Sequence, residues 1–185
     1  MSKLETNTID TVSGTSNLVI GSTNSSTVTF ENGAATGHNY PAFSANILTG
    51  SITASVSTAT KATFNNELYD TDNAYDISNS RFTVPSGKAG KYHFETSFSS
   101  FESTANNDIS QWYVFFYKNG SNEIFVTTGG GARVGNPRAN MLTATLDLAV
   151  GDYIEVYFRA NSSSGNIGYD VGQEYNRFSG YRIGA

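Results

Sequence analysis

Residues 91–99 read KYHFETSFS and form the clearest strand pattern in the chain. Tyr92 and Phe94 alternate with His93 and Glu95, and side chains at successive strand positions project from opposite faces. An aromatic face beside a polar face indicates that the aromatic one packs on a core. The stretch therefore predicts a strand that sends Tyr92 and Phe94 inward and His93 and Glu95 outward.

Further strand patterns lie on both sides of this stretch, at residues 43–48, 111–117, 142–148, 153–159 and 178–183. The segment 111–117 is apolar on both faces, so we expect the core to cover one face and another element or chain to cover the other. Asn119-Gly120 follows this segment and is a strong hairpin signal. No stretch has the sustained apolar spacing of a helix. The many short strands with turn signals predict an all-β sandwich or jelly roll.

The composition supports an all-β chain and excludes several kinds of protein. The 185 residues include 12 Phe, 11 Tyr and 18 Gly but no Cys, which suits strands and turns and excludes disulfides and thiolate chemistry. The net charge is −5 and the 11 Lys and Arg residues are scattered, so we expect no nucleic-acid binding. No apolar run approaches the roughly 18 residues of a membrane helix, so we expect no membrane insertion.

Residues 1–37 differ in composition from the rest of the chain. They are rich in Thr, Ser, Asn and Gly, and short strand-like pieces at 17–20 and 27–30 suggest a hairpin. A lone hairpin buries too little surface to be stable, so its apolar residues need a partner, unless the segment is a disordered tail. We therefore expect an attachment or trimerisation arm at 1–37 and a folded domain at 38–185. The candidate docking residues of the arm are Leu18, Ile20, Val28 and Phe30.

No catalytic or cofactor-binding motif stands out in the chain. There are two histidines, His38 and His93, and the nucleophile-elbow, zinc-protease and phosphate-loop patterns do not occur. The glycine run at 129–131 is interpreted as a loop tip, because no strand-to-helix pattern surrounds it. The sequence therefore predicts neither an enzyme nor a bound cofactor.

One acidic segment is a weak candidate for a calcium site. Asp70, Asp72 and Asp76 occupy the first, third and seventh positions of a pattern similar to a calcium-binding loop. Ala74 and Arg81 stand at the fifth and twelfth positions, where such a loop needs oxygen ligands. An acidic, solvated loop is therefore the favoured interpretation, and calcium binding is the alternative.

Short stretches along residues 41–185 resemble the globular head of complement C1q and its tumour-necrosis-factor-like relatives, in the order of that family. They are PAFSA at 41–45, NAYD at 73–76, RFTVP at 81–85, GKYHF at 90–94, YKNG at 117–120, LDLAVGD at 146–152 and RFSGY at 177–181. The resemblance implies a jelly-roll β-sandwich that assembles as a homotrimer. It also implies that His93 and Glu95 lie against a neighbouring subunit and that Phe178 lies near the three-fold axis.

The chain departs from animal C1q proteins in having no Gly-X-Y repeat, no secretory signal pattern at residues 1–10 and no cysteine. Its N-terminal arm resembles those of phage fibre and head-appendage proteins. These resemblances imply a virion protein assembled in the cytoplasm of a bacterial host, either a tail fibre or spike or a capsid-decorating head fibre. Its expected partners are capsid or tail proteins and a host surface glycan or protein. The alternative is a soluble C1q/TNF-like trimer that binds a ligand or carbohydrate and is not part of a virion.

Overall fold

The computed structural model describes residues 41–50, 54–55, 57–102, 110–129, 138–161, 166–169 and 175–184. The chain divides into two units, Met1–Thr36 and Gly37–Ala185, and the described residues all belong to the second. The arm predicted at residues 1–37, with Leu18, Ile20, Val28 and Phe30, lies outside the described residues. The arm and the domain boundary beside it therefore stay predictions.

The described residues form β-strands and turns, with no helix among them. The strands are β1 Ala42–Asn46, β2 Ala54–Ser55, β3 Thr60–Lys61, β4 Asn66–Asp70, β5 Tyr75–Asp76, β6 Arg81–Thr83, β7 Gly90–Glu102, β8 Gln111–Lys118, β9 Ser121–Gly129, β10 Arg138–Leu148, β11 Tyr153–Asn161, β12 Asn166–Tyr169 and β13 Arg177–Gly184. No described segment is a helix long and apolar enough to cross a membrane. The all-β class predicted from the sequence is confirmed.

Two antiparallel sheets make up the fold. In the first sheet the strand order is β2-β12-β7-β13-β1-β4, and β10 pairs with β7. In the second sheet the order is β5-β6-β11-β8-β9, and β3 pairs with β11. Strands adjacent in space are often distant in sequence, as β1 and β13 are, which is the topology of a jelly roll.

Aromatic side chains from both sheets fill the core. Phe43 of β1 stacks on Tyr75 and on Phe82 with ring centroids 5.0 Å apart in each pair. Phe94 of β7 lies 5.5 Å from Phe82, and Phe43, Phe82 and Phe94 are all fully buried. Offset and edge-on contacts of this kind stabilise the core beyond the area that they bury. The alternation predicted for residues 91–99 is therefore confirmed.

The first strand is shorter than its apolar pattern predicted. It ends at Asn46 instead of residue 48, because the backbone N–H of Leu48 donates to the side-chain Oδ1 of Asn65 at 3.0 Å and leaves the ladder. Ile47 is still fully buried. The apolar pattern thus extends beyond the end of β1 because the Ile47 side chain still enters the core.

Two turns at one end of the second sheet are joined through side chains. Asn119 and Gly120 have φ values of 52° and 81°, which is the backbone of the predicted Asn-Gly hairpin between β8 and β9. Asn119 Nδ2 donates to Asp152 Oδ1 at 2.7 Å, and the Tyr153 N–H donates to Asn119 Oδ1 at 2.9 Å. The first of these bonds, followed by the Ala149 N–H, holds the pKa of Asp152 below its usual value.

Gly180 of β13 lies directly opposite Phe94 of β7. A Cβ added there would lie 2.5 Å from the Phe94 ring and 3.0 Å from the His93 carbonyl oxygen. Ordinary carbon contacts are about 3.5–4.0 Å. Glycine at this position therefore lets the Phe94 ring pack closely against the β13 backbone.

Candidate interaction surface

The face of the first sheet that points away from the core can be assembled from the strand registers. Ser44 pairs with Tyr69 on one side and with Ser179 on the other, Ser179 pairs with Glu95, and Glu95 pairs with Thr143. Residues that face each other across antiparallel strands project from the same side of the sheet. These side chains therefore form one row across β4, β1, β13, β7 and β10.

Two further rows flank this one, and the three rows together are called the outer face here. On one side the row is Asn46, Arg177, Ser97 and Met141. On the other side it is Ala42, Tyr181, His93 and Thr145. The middle of the face thus consists mainly of short side chains, with long ones around them.

A groove of about 270 Å³ lies on the outer face between β7, β10 and β13. Its lining residues are Glu95, Thr96, Ser97, Met141, Arg177 and Ser179. The Ser179 hydroxyl donates to Glu95 Oε1 at 2.9 Å, and this bond fixes one oxygen of the carboxylate. The Thr96 hydroxyl donates to the backbone oxygen of Arg177 at 2.8 Å. Glu95 and Arg177, which carry opposite charges, therefore both line the groove.

Large apolar side chains on the outer face are exposed to solvent in the single chain. Met141 is 71% exposed, Tyr69 52% and Tyr181 43%. The His93 ring lies 5.5 Å from the Tyr181 ring, and its Nδ1 lies 3.4 Å from the Thr145 hydroxyl. These three exposed side chains therefore share one side of the sheet, on strands β4, β13 and β10.

The structure brings two of the three predicted interface residues to this face. His93 and Glu95 lie on it, as the alternation of β7 predicted. Phe178 does not, because it is fully buried, with its ring 4.9 Å from that of Phe43. We therefore assign Phe178 to the core. Its neighbours Arg177 and Ser179 carry the outer face, since successive residues of β13 point to opposite sides.

This face also contains four residues that were not predicted from the sequence: Arg177, Ser179, Tyr181 and Met141. The alternation within RFSGY at 177–181 contained the signal, because Phe178 between two polar residues is the inward position. The position of Met141 depends on the pairing of β10 with β7, which no local pattern specifies.

On the side of the second sheet that points away from the core, aromatic side chains are stacked on one another and on a guanidinium group. Phe115 is only 6% exposed although it points away from the core residues of β8. The Arg159 guanidinium lies 4.3 Å from the Tyr113 ring and 5.6 Å from the Phe115 ring, and Tyr117 stacks on Tyr157 at 4.0 Å. Part of the cover that we expected from another element or chain thus comes from Arg159 and Tyr157 of β11 in the same sheet.

The carboxylates of the acidic segment accept hydrogen bonds within turns. The Tyr75 N–H donates to Asp70 Oδ2 at 2.7 Å, and the Asp72 N–H donates to Asp70 Oδ1 at 3.2 Å. Asp76 accepts from the Asn79 side chain at 2.6 Å and from its N–H at 3.1 Å, and these bonds hold the pKa of Asp76 below its usual value. Within the described ranges, no three His, Cys, Asp or Glu side chains converge on a possible metal site.

Two tyrosines with a raised pKa, Tyr75 and Tyr92, lie in the core. Burial raises the pKa of Tyr92 to about 12, and its hydroxyl donates to the Lys88 carbonyl at 2.6 Å. Burial also raises the pKa of Tyr75, whose hydroxyl donates to the Phe64 carbonyl at 2.9 Å. Both tyrosines are tied to backbone oxygens and lie away from the groove. Their shifted pKa values therefore reflect core packing.

Comparisons with known proteins agree with this architecture. The C1q domain model matches residues 42–183. The globular domain of zebrafish complement 1qA is 19% identical with a TM-score of 0.55, and the match covers 77% of this chain and 97% of that one. Eiger TNF from S. frugiperda is 12% identical with a TM-score of 0.56, covering 80% and 95%.

Murine APRIL at pH 5.0 is 10% identical with a TM-score of 0.55, covering 77% of this chain and 98% of that one. No curated protein matches the sequence significantly. The solved structures share the jelly roll, and the family model spans most of the chain, from the start of β1 nearly to the end of β13. The chain belongs to the C1q domain family.

Proposed function

We propose that this protein is a non-enzymatic, homotrimeric C1q-type module for structure and recognition, and that it trimerises through the outer face of the first sheet. The observation that carries the proposal is the exposure of Met141, Tyr69 and Tyr181 on that one face, together with the groove that Met141 helps to line. Homotrimers are typical of this fold, and the C1q and TNF-like domains are a non-enzymatic family. On the second sheet, by contrast, Arg159 and Tyr157 already cover part of the aromatic row.

Sedimentation equilibrium of the full chain at micromolar concentration tests this proposal. We expect a trimer, and we expect Tyr181→Asp to weaken it because a charge replaces an apolar contact. Ile77→Asp is the matched control, since Ile77 is equally exposed, at 43%, but lies in the turn before β6. A monomeric wild type, or equal effects of the two substitutions, would refute the proposed interface.

Within this function we propose that residues 1–37 attach the trimer to a phage-like virion, as a tail fibre or spike or as a capsid-decorating head fibre. The support is the composition of the arm and the need of its apolar residues Leu18, Ile20, Val28 and Phe30 for burial. Three arms that bind together would attach the trimer with avidity. The jelly roll would then present its loops to a host glycan or protein.

Copurification with particles from infected bacteria tests the attachment role. We expect deletion of residues 1–37 to leave a folded trimer that no longer copurifies, and we expect the arm fused to an unrelated trimer to attach. Normal occupancy of the truncated protein would place attachment in the jelly roll instead. A trimer that binds glycans in solution and associates with no particle would favour the alternative of a soluble binding module.

A further inference from the structure

Glu95 and Arg177 carry opposite charges at neighbouring positions of the outer face. Arg177 pairs with Ser97 in the strand register and Ser179 pairs with Glu95, so the two charged residues are diagonal neighbours on β13 and β7. Diagonal neighbours in an antiparallel pair are about 7–8 Å apart at Cα. Among the described residues, no ion pair joins the two side chains.

We propose that Arg177 of each subunit pairs with Glu95 of the next, so that the two charges alternate around the three-fold axis. This inference rests on the trimer proposed above and names the residues that complete its contact. The groove is lined by both side chains, so a neighbouring copy that covers it meets a carboxylate and a guanidinium together. In this arrangement each ion pair needs two copies of the chain, because one copy supplies Arg177 and the next supplies Glu95.

The cost of burying charges favours this arrangement. An exposed ion pair contributes little, but a charged group that is buried without a partner is strongly destabilising. Closing the outer face removes Glu95 and Arg177 from water together, because they line one groove. Ser179 donates to Glu95 Oε1 at 2.9 Å, and no hydrogen bond from the described part of the chain reaches Oε2, which the partner's guanidinium can bind. Arginine is suited to this role since its planar fork binds carboxylates with defined geometry.

The symmetry of a trimer allows all three pairs of Arg177 with Glu95 to form at once. In a ring of three the interfaces are heterologous, so a residue on one subunit meets a different residue on the next. Two opposite charges side by side on each copy can therefore form a closed alternating ring. If like residues met at the axis instead, three carboxylates or three guanidinium groups would come together without compensation.

Charge reversal tests the pairing in the full-length protein. We expect Glu95→Arg and Arg177→Glu each to weaken the trimer at least about 30-fold, as truncated or reversed buried charge pairs do. The double variant, with both charges exchanged, should recover to within about 10-fold of wild type, since pair energies compensate in such cycles. Glu67→Arg is the control, because Glu67 is an exposed residue of edge strand β4 with the same charge change.

Mixing the two single variants separates pairing between chains from pairing within a chain. In a mixed trimer, the arginine introduced by Glu95→Arg on one subunit meets the glutamate introduced by Arg177→Glu on the next. Such a trimer therefore has fewer like-charge contacts than either pure trimer. Native mass spectrometry of an equal mixture should show mixed trimers in excess over pure ones.

A wild-type trimer in which the double variant stays as weak as the single variants would overturn the charge ring and leave the proposed trimer intact. Mixed trimers no more abundant than random assembly predicts would likewise exclude pairing between chains. A monomeric wild type would overturn the trimer and the ring together.

Discussion

Substituting Gly180 by alanine probes its close approach to the Phe94 ring. The new Cβ would lie 2.5 Å from Cδ1 and 2.9 Å from Cε1 of Phe94, roughly 1 Å inside ordinary contact. The Phe94 ring is fully buried and lies 5.5 Å from Phe82 and 6.2 Å from Phe178, so it has no open space to move into. The strain must therefore be relieved by movement of β13 relative to β7.

The expected loss of stability follows from two opposing effects. Forcing an extra carbon into a packed core costs about 1–3 kcal/mol. Replacing glycine by alanine returns about 0.4–1 kcal/mol by restricting the unfolded chain. We therefore expect a net destabilisation of about 1–2 kcal/mol, or roughly 2–8 °C in Tm for a domain of this size.

Urea unfolding followed by the fluorescence of Trp112 measures this loss. Trp112 is the one tryptophan of the chain and is 1% exposed, so its emission reports on the core. Gly184→Ala on the same strand is the matched control, because an added Cβ there would meet nothing within 4 Å. Protein concentrations must be equal, since assembly shifts apparent stability.

Equal stabilities of Gly180→Ala and Gly184→Ala would refute the close-approach argument. A second comparison adds Phe94→Leu to each background. If the alanine clashes with the Phe94 ring, the double variant should lose less than the sum of the two single losses, because the smaller side chain relieves the overlap. Strict additivity would place the strain elsewhere.

Three further predictions concern the core, the turns and the interface. Phe178→Ala should destabilise folding by about 3–5 kcal/mol in urea unfolding, since it leaves a cavity in the core, and an effect on assembly alone would contradict its burial. Asp152 has a lowered pKa when folded, so its contribution to stability is present above the unfolded pKa and is lost as the pH falls through the folded one. Asp152→Asn should therefore reduce the difference between urea unfolding at pH 7 and at pH 3, and an unchanged difference would contradict this. Glu95→Leu should change trimer melting by more than the ~0.5 kcal/mol of a surface substitution, and equality with Glu67→Leu would contradict the placement of Glu95.

The parts of the fold that depend on local pattern could be predicted from the sequence. The alternation around Tyr92 and Phe94 assigned the two faces of β7, and Asn119-Gly120 located a hairpin. Strand β4 was missed because NELYD contains polar and acidic residues, and it is a strand because it pairs with β1. The segment 111–117 was correctly predicted as a strand with two apolar faces, but its outer cover depends on Arg159, which comes close only through the pairing of β8 with β11.

Part of the candidate interface could also be predicted, because it depends on the local alternation of β7. The outward direction of His93 and Glu95 could be predicted because their strand alternates clearly, whereas Phe178, which was taken from the motif resemblance, is buried in the core. A motif aligns residues along the chain without stating which side of the strand they occupy. The groove beside Glu95 combines residues from three strands, so the strand order had to be known before it could be recognised.

The core and the outer face are mechanically coupled through β13. Gly180 faces the core opposite Phe94, and its neighbour Ser179 faces outward and donates to Glu95. The absence of a side chain at Gly180 leaves room for the Phe94 ring while β13 and β7 stay paired, and in this pairing the Ser179 hydroxyl lies 2.9 Å from the Glu95 carboxylate. The orientation of the Glu95 carboxylate therefore depends on packing on the opposite side of the sheet. In the proposed trimer, packing in the aromatic core would therefore help to position the charged side chains of the interface. Glycine suits position 180, between Ser179 and Tyr181 of that interface, because a larger residue would overlap the Phe94 ring.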